Sequence, residues 1–132
     1  DYVTEEFTIR DLLTHKSGLG LGAGDLMIWP DGHDFTPKDI VRNIQYLKPV
    51  SGFRTQYDYD NLLYVIAGEV IEKVSGKSWC DFVEERLMKP IGMTKSAASW
   101  RRLKDTTNVV VPHVPTNGKL EIVPRYTNPI FD

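Results

Sequence analysis

The stretch from Tyr57 to Gly76, Y-D-Y-D-N-L-L-Y-V-I-A-G-E-V-I-E-K-V-S-G, decides how the rest of the chain is read. Leu62, Leu63, Ile66, Ala67, Val70, Ile71 and Val74 recur at the i, i+3/i+4 spacing of a buried helical face. Glu69, Glu72 and Lys73 fall on the opposite face. Ser75-Gly76 supplies the stop, because glycine takes the left-handed conformation at a helix end without penalty. Ahead of the helix, Tyr57, Asp58, Tyr59, Asp60 and Asn61 crowd polar and aromatic groups at its start. Unpaired backbone N–H groups gather there and welcome anions or polar substrate groups. Asp58, Asp60 and Asn61 each have the chemistry of an N-cap. The plain reading is an aromatic-rich cap; the functional one is a wall of a site.

Outward from this stretch the chain reads as further short helices. Thr8-Ile9-Arg10-Asp11 opens the first with a capping box, and Ile9, Leu12 and Leu13 are its apolar side. It stops near Lys16, before a run with glycine at 18, 20, 22 and 24. That run lacks G-x-x-x-x-G-K-[ST] and a preceding strand, so it does not read as a phosphate loop. Trp29-Pro30-Asp31-Gly32 has turn chemistry. Thr36-Pro37-Lys38-Asp39 starts a second helix, with Ile40, Val41, Ile44 and Leu47 on one face, ending before Pro49. Ser51-Gly52 then leads by an extended arm into Tyr57, with Lys48 and Arg54 expected as solvated loop groups. Beyond Gly76, Ser78 caps a fourth helix whose core face is Trp79, Phe82, Val83 and Leu87. Cys80 in that helix reads as a buried thiol. Val109-Val110-Val111 and Leu120–Val123 are β-prone and flank Thr116-Asn117-Gly118, which predicts a hairpin.

Composition narrows the function classes. The chain has 132 residues, one domain's worth, with 41% hydrophobic and 26% charged residues. A net charge of −2 provides no electrostatic footprint for nucleic acid. One cysteine excludes an internal disulfide and a cysteine-based metal cluster. His15, His33 and His113 lie too far apart for a ligand motif such as H-E-x-x-H, so no metal or other cofactor is expected. No apolar run reaches the roughly 20 residues of a membrane span. Both ends read as cut: Asp1 stands where an initiator methionine would, and Ile130-Phe131-Asp132 closes on an apolar pair.

Three stretches together resemble the serine β-lactamase/penicillin-binding-protein-like hydrolases of the class C and esterase type. Residues 8–19, T-I-R-D-L-L-T-H-K-S-G-L, are similar to that family's T-I-R-D-L-L-T-H-x-S-G-L signature. Phe53 to Gly68 resembles its F-x-Y-x-N-x-x-Y-x-x-x-G segment, which places Tyr59-Asp60-Asn61 on the Y-x-N motif. Pro90-Ile91-Gly92-Met93-Thr94 resembles its P-L-G-M-x-x-T segment. The resemblance implies acyl transfer through a serine, activated by the lysine of S-x-x-K, with an oxyanion hole beside it. It implies a catalytic proton-shuttle role for Tyr59, and for Asn61 a catalytic and substrate-binding role toward the lysine and the acyl side chain. Residues two apart in an extended arm face alike, so Tyr59 and Asn61 are expected on one side of the helix start. Asp60 stands where serine or alanine is more usual.

The chain also departs from the pattern. No serine is followed three places on by lysine; Ser51-Gly52-Phe53-Arg54 comes nearest, and arginine stays protonated. No K-T-G or H-x-G follows Y-x-N, and Lys16-Ser17-Gly18 lies before it, inside the T-H-x-S-G-L signature. The expected fold is therefore mainly α with a small β-hairpin. It corresponds to the helical subdomain of the α+β β-lactamase/transpeptidase-like fold, with residues 1–132 as a single partial domain. The expected function belongs to a parent serine hydrolase that cleaves an amide or ester of a small molecule or peptide, with the remainder of the parent domain as this segment's partner. The segment alone is expected to be inactive. A non-catalytic binding or sensor module of the same fold is the alternative, and a freestanding helical interaction domain the third reading. The resemblance further implies an exported protein.

Overall fold

The computed structural model describes residues 2–30, 32, 34–125 and 130. It is mostly helical, with one two-stranded antiparallel hairpin. In order come α1 (Tyr2–Glu6), α2 (Ile9–Leu13), a 3-10 turn (Asp25–Met27), α3 (Pro37–Asn43) continued by a 3-10 turn (Ile44–Tyr46), and α4 (Asn61–Ser75). Then follow α5 (Trp79–Val83), running on as a wider π turn (Glu84–Met88), a 3-10 turn (Trp100–Arg102), β1 (His113–Thr116) and β2 (Lys119–Ile122).

Local chemistry fixes the helix ends. At both α2 and α3 a threonine, Thr8 or Thr36, accepts from the backbone three residues on, while the aspartate there reaches back to the threonine N–H. Asp60 is the cap of α4, its Oδ1 accepting from Leu62 N at 2.8 Å. Gly76 ends α4 at φ 69°, its N–H donating to Glu72 O. α4 packs against α2, α3 and α5, and the core gathers where α3 meets its first turn. Ile28, Ile40, Leu62 and Ile130 are buried there, flanked by Met27, Trp29, Phe35, Ile44, Leu47, Val65 and Ile66. Cys80 is buried as expected.

Several expectations are corrected. α1 was not anticipated. The apolar face of α4 is buried only at its start: Leu62 and Leu63 are enclosed, Ile66 through Ile71 are half-buried, and Val74 is 82% exposed. Ile9, Leu13, Val41, Trp79 and Leu87, expected on apolar core faces, are likewise between 42% and 55% exposed. The first strand is His113–Thr116 rather than Val109–Val111. Asn117 and Gly118, at φ 49° and 76°, form a two-residue turn that pairs Thr116 with Lys119 and sets the register up to His113 with Ile122. The Trp29–Pro30 peptide is cis. Asp31 of the expected turn, His33, and the Phe131-Asp132 end lie outside the described residues.

Arg54 is not a solvated loop group. Its Nε and one terminal nitrogen each reach Asp11 at 2.9 Å, that nitrogen also donates to Glu6 O, and the guanidinium lies over the Phe53 ring. Together with Thr8, these bonds hold the Asp11 carboxyl well below the usual carboxylate range. The pair fastens the arm that carries Tyr57–Asp60 onto the start of α2. At the far end of the chain Arg102 plays a similar part, bridging Asp81 at 2.7 Å and Glu84 at 2.8 and 2.9 Å. Glu84, which also accepts from Ala98 N, is held down to about 2 chiefly by Arg102.

Candidate functional site

The arm into α4 is extended, with Asp60 at φ −143° and ψ 118°, so its side chains alternate. Tyr59 and Asn61 fall on one side and Asp60 on the other. Tyr59 Oη donates to Asn61 Oδ1 at 3.1 Å, and the Tyr59 side chain stands 44% exposed. Asn61 is half-buried as the first residue of α4. Asp60 points inward and is fully enclosed. Its Oδ1 caps the helix, whereas its Oδ2 is buried without a hydrogen-bond partner. Burial, with a smaller contribution from the Asp25 charge, pushes the Asp60 carboxyl up to about 6, against the pull of the Leu62 N–H.

Two segments hold this arm in place. His15 lies in the left-handed region at φ 54° and is buried. Its Nδ1 accepts from Asp60 N at 3.2 Å and its carbonyl from Asp58 N at 3.1 Å. The ring sits among Tyr57, Tyr59 and Tyr64, with centroids 5.3, 4.7 and 5.2 Å away. Tyr64 Oη in turn donates to Leu13 O. On the other flank the glycine run folds over the start of α4, with Gly22 N donating to Tyr59 O at 2.8 Å. At Gly24, φ 76°, a Cβ would stand 2.4 Å from Leu62 Cδ1, so only glycine permits the approach. Beyond that glycine, Asp25 accepts from Asn61 Nδ2 at 3.2 and 3.3 Å. Asp58 is committed elsewhere, to Ser51 Oγ and Gln56 Nε2.

The structure thus brings Tyr59 and Asn61 together at the start of α4. Sequence reasoning missed Asp25 and gave His15 no task. Alternate glycines at 18, 20, 22 and 24 were the one available sign that a loop approaches backbone closely there. A separate hollow of about 450 Å³ lies between the π turn (Glu84–Met88) and the segment from Met93 to Val109, lined in part by Glu84, Met93 and Arg102, and includes no residue of the Tyr59–Asn61 pair. Among the described residues no group of three or more His, Cys, Asp or Glu side chains is arranged to hold a metal ion. No helix among them is long and apolar enough to cross a membrane.

A sequence model described as Beta-lactamase matches residues 1–129. The chain belongs to the Beta-lactamase family. It is 33% identical over 103 residues to Unguisins hydrolase ungD' of Aspergillus campestris, across 75% of this chain and 18% of that protein. The octameric penicillin-binding protein homologue of Pyrococcus abyssi superposes with a TM-score of 0.70 at 26% identity, covering 89% of this chain and 28% of the homologue. D-amino acid amidase of Ochrobactrum anthropi SV3, solved with L-phenylalanine amide, superposes at 0.69 over 91% of this chain and 35% of the amidase. At 21% identity that likeness is one of fold. This Beta-lactamase-family chain therefore has the fold of part of a β-lactamase/transpeptidase-like domain and spans roughly a fifth to a third of these proteins' length.

Proposed function

We propose that this chain forms one wall of the active site of a longer β-lactamase-like serine hydrolase, which cleaves an amide or ester through an acyl-serine. The observation that carries this reading is the Tyr59–Asn61 pair: an exposed phenol hydrogen-bonded to an amide at a helix start, on a rigidly braced arm. A positioned phenol hydroxyl can pass a proton between nucleophile, leaving group and base. An amide beside it can bind the substrate's polar acyl group. The small-molecule amide bound to the amidase suggests the substrate scale, a compact amide or a peptide end. The nucleophile and its base are not in these 132 residues, since no S-x-x-K occurs among them. The 132-residue segment by itself is accordingly inactive, and its partner is the remainder of the domain. An exported location is part of the same proposal.

The test is intact-mass analysis after incubation with a reactive penicillin, an activated short-chain ester and an amino acid amide. The longer protein should gain one acyl group on a serine of an S-x-x-K, and the 132-residue chain should gain none. A stoichiometric adduct on the short chain would overturn the division of the site. A longer protein that contains S-x-x-K yet neither acylates nor hydrolyses any of the three would favour a binding or sensor module instead.

A further inference from the structure

Asp25 has no part in the scheme above, yet the glycine run ends on it and its carboxylate meets the Tyr59–Asn61 pair. We propose that Asp25 is a positioning residue: its carboxylate fixes which way round the Asn61 amide sits, and so sets the direction of the hydrogen bond to Tyr59. A primary amide has a donor end and an acceptor end, and a half-turn exchanges them. An ionised carboxylate only accepts. Asn61 Nδ2 must therefore face Asp25, as it does at 3.2 and 3.3 Å to the two carboxylate oxygens. The amide oxygen is then left toward Tyr59, 3.1 Å from Oη, and the phenol has to donate to it. Were the amide reversed, its NH₂ would face the phenol and Tyr59 would have to accept instead. Asp25 thereby leaves the Tyr59 oxygen lone pairs open to a proton donor from the solvent-facing side. It also turns the Asn61 carbonyl toward that side as an acceptor.

The backbone is arranged for this. Asp25 N donates to Gly22 O at 3.1 Å, and Gly22 N donates to Tyr59 O at 2.8 Å. Gly24 closes against Leu62 and Leu47. The loop is thus fastened on both sides of Asn61, at Tyr59 and at Leu62, with Asp25 held at the amide between them. Asp25 touches no reacting atom in this arrangement and acts only through Asn61.

Two measurements test the assignment. In the ¹⁵N-labelled chain, Asp25→Ala should shift the Asn61 side-chain amide protons to the position of a freely solvated amide, with the α4 backbone amides unmoved. Asp25→Asn, nearly isosteric and with a weaker neutral acceptor, should shift them part of the way, and it carries the test should the alanine variant not fold. Asn61 amide protons unmoved in a folded variant overturn the proposal. The catalytic consequence rests on the function proposed above and is read in the longer protein. There Asp25→Ala should lower kcat about 10- to 100-fold, the range for losing a hydrogen bond to a charged group, with KM within about threefold. Asp25→Asn, whose amide can donate as well as accept and so no longer dictates the Asn61 orientation, should recover only part of that loss. An unchanged kcat in a folded Asp25→Ala variant, or a change in KM alone, overturns the positioning role. A longer wild-type protein with no hydrolytic activity would sink the functional reading, while the amide shift still decides the role of Asp25.

Discussion

The backbone N–H of Asp60 donates to Nδ1 of His15 at 3.2 Å, joining residues 45 positions apart at the point where the arm turns into α4. A ring nitrogen that accepts carries no proton, so neutral His15 holds its hydrogen on Nε2. The same ring fills the space among three tyrosines, one of them Tyr59. His15 is therefore both the acceptor for a buried donor and the floor under the phenol.

Removing that ring should be costly. His15→Ala leaves the Asp60 N–H without a partner in a buried place, at about 1–3 kcal/mol, and opens a cavity besides. We expect a total loss of about 2–5 kcal/mol in urea denaturation of the chain. His15→Asn should lose less, because asparagine tolerates the left-handed φ of 54° and offers an acceptor oxygen. A His15→Ala chain as stable as wild type would show that the Asp60 bond contributes nothing.

Asp60 predicts an unusual pH response. Its folded carboxyl titrates near 6, above the unfolded value of about 3.9, so the folded chain binds this proton more tightly than the unfolded one. The contribution of Asp60 is therefore most favourable below about pH 4 and is lost as pH rises through about 6, by on the order of 3 kcal/mol. Asp11 and Glu84 behave oppositely: their folded values are lowered, so their stabilisation is lost only as pH falls below the ordinary carboxylate range. The two effects occupy separate windows. Asp60→Asn keeps an oxygen to cap Leu62 and cannot ionise. Relative to that variant, wild type should gain stability between pH 7.5 and 4, measured by denaturation at each pH. A difference that stays flat across that interval would mean Asp60 titrates like an exposed aspartate.

What the sequence made legible was chemistry confined to neighbours along the chain. The capping box at Thr8, the helix start at Thr36 and the glycine stop at Gly76 each depend on groups within about one helical turn, and the structure has them where they were expected. The Beta-lactamase family was legible for a related reason, since its signatures are short continuous runs. The first strand was misplaced because three valines carry β-propensity without a partner, whereas the Asn117-Gly118 turn dictates the pairing. Helical periodicity identified α4 but not how far along it a neighbour extends, which is why Val74 was assigned to a core it does not reach. Asp25 and Arg54 were illegible for want of distance information. Their partners Asn61 and Asp11 lie 36 and 43 positions away, and a lone acidic or basic residue in a loop carries no sign of such a pairing.

Tyr59→Phe separates the role of the phenol from its place in the fold. The substitution removes one hydroxyl, which makes one hydrogen bond at a partly exposed position, to Asn61. The ring and its contact with His15 are kept. Stability of the chain should therefore change by no more than about 1 kcal/mol, the ordinary net worth of such a bond. If Tyr59 carries protons in acyl transfer, the longer protein with Tyr59→Phe should lose about 10²–10⁴-fold in acylation rate, the usual contribution of a positioned proton-transfer group. Substrate binding should persist, because Asn61 remains held by Asp25. Stopped-flow acylation with a chromogenic cephalosporin or an activated ester measures the rate, and denaturation of the same variant measures the fold. A fall in rate with an intact fold assigns the phenol to the chemistry. Wild-type acylation by the Tyr59→Phe variant would leave Tyr59 as a cap residue, and with it the arm as a piece of architecture only.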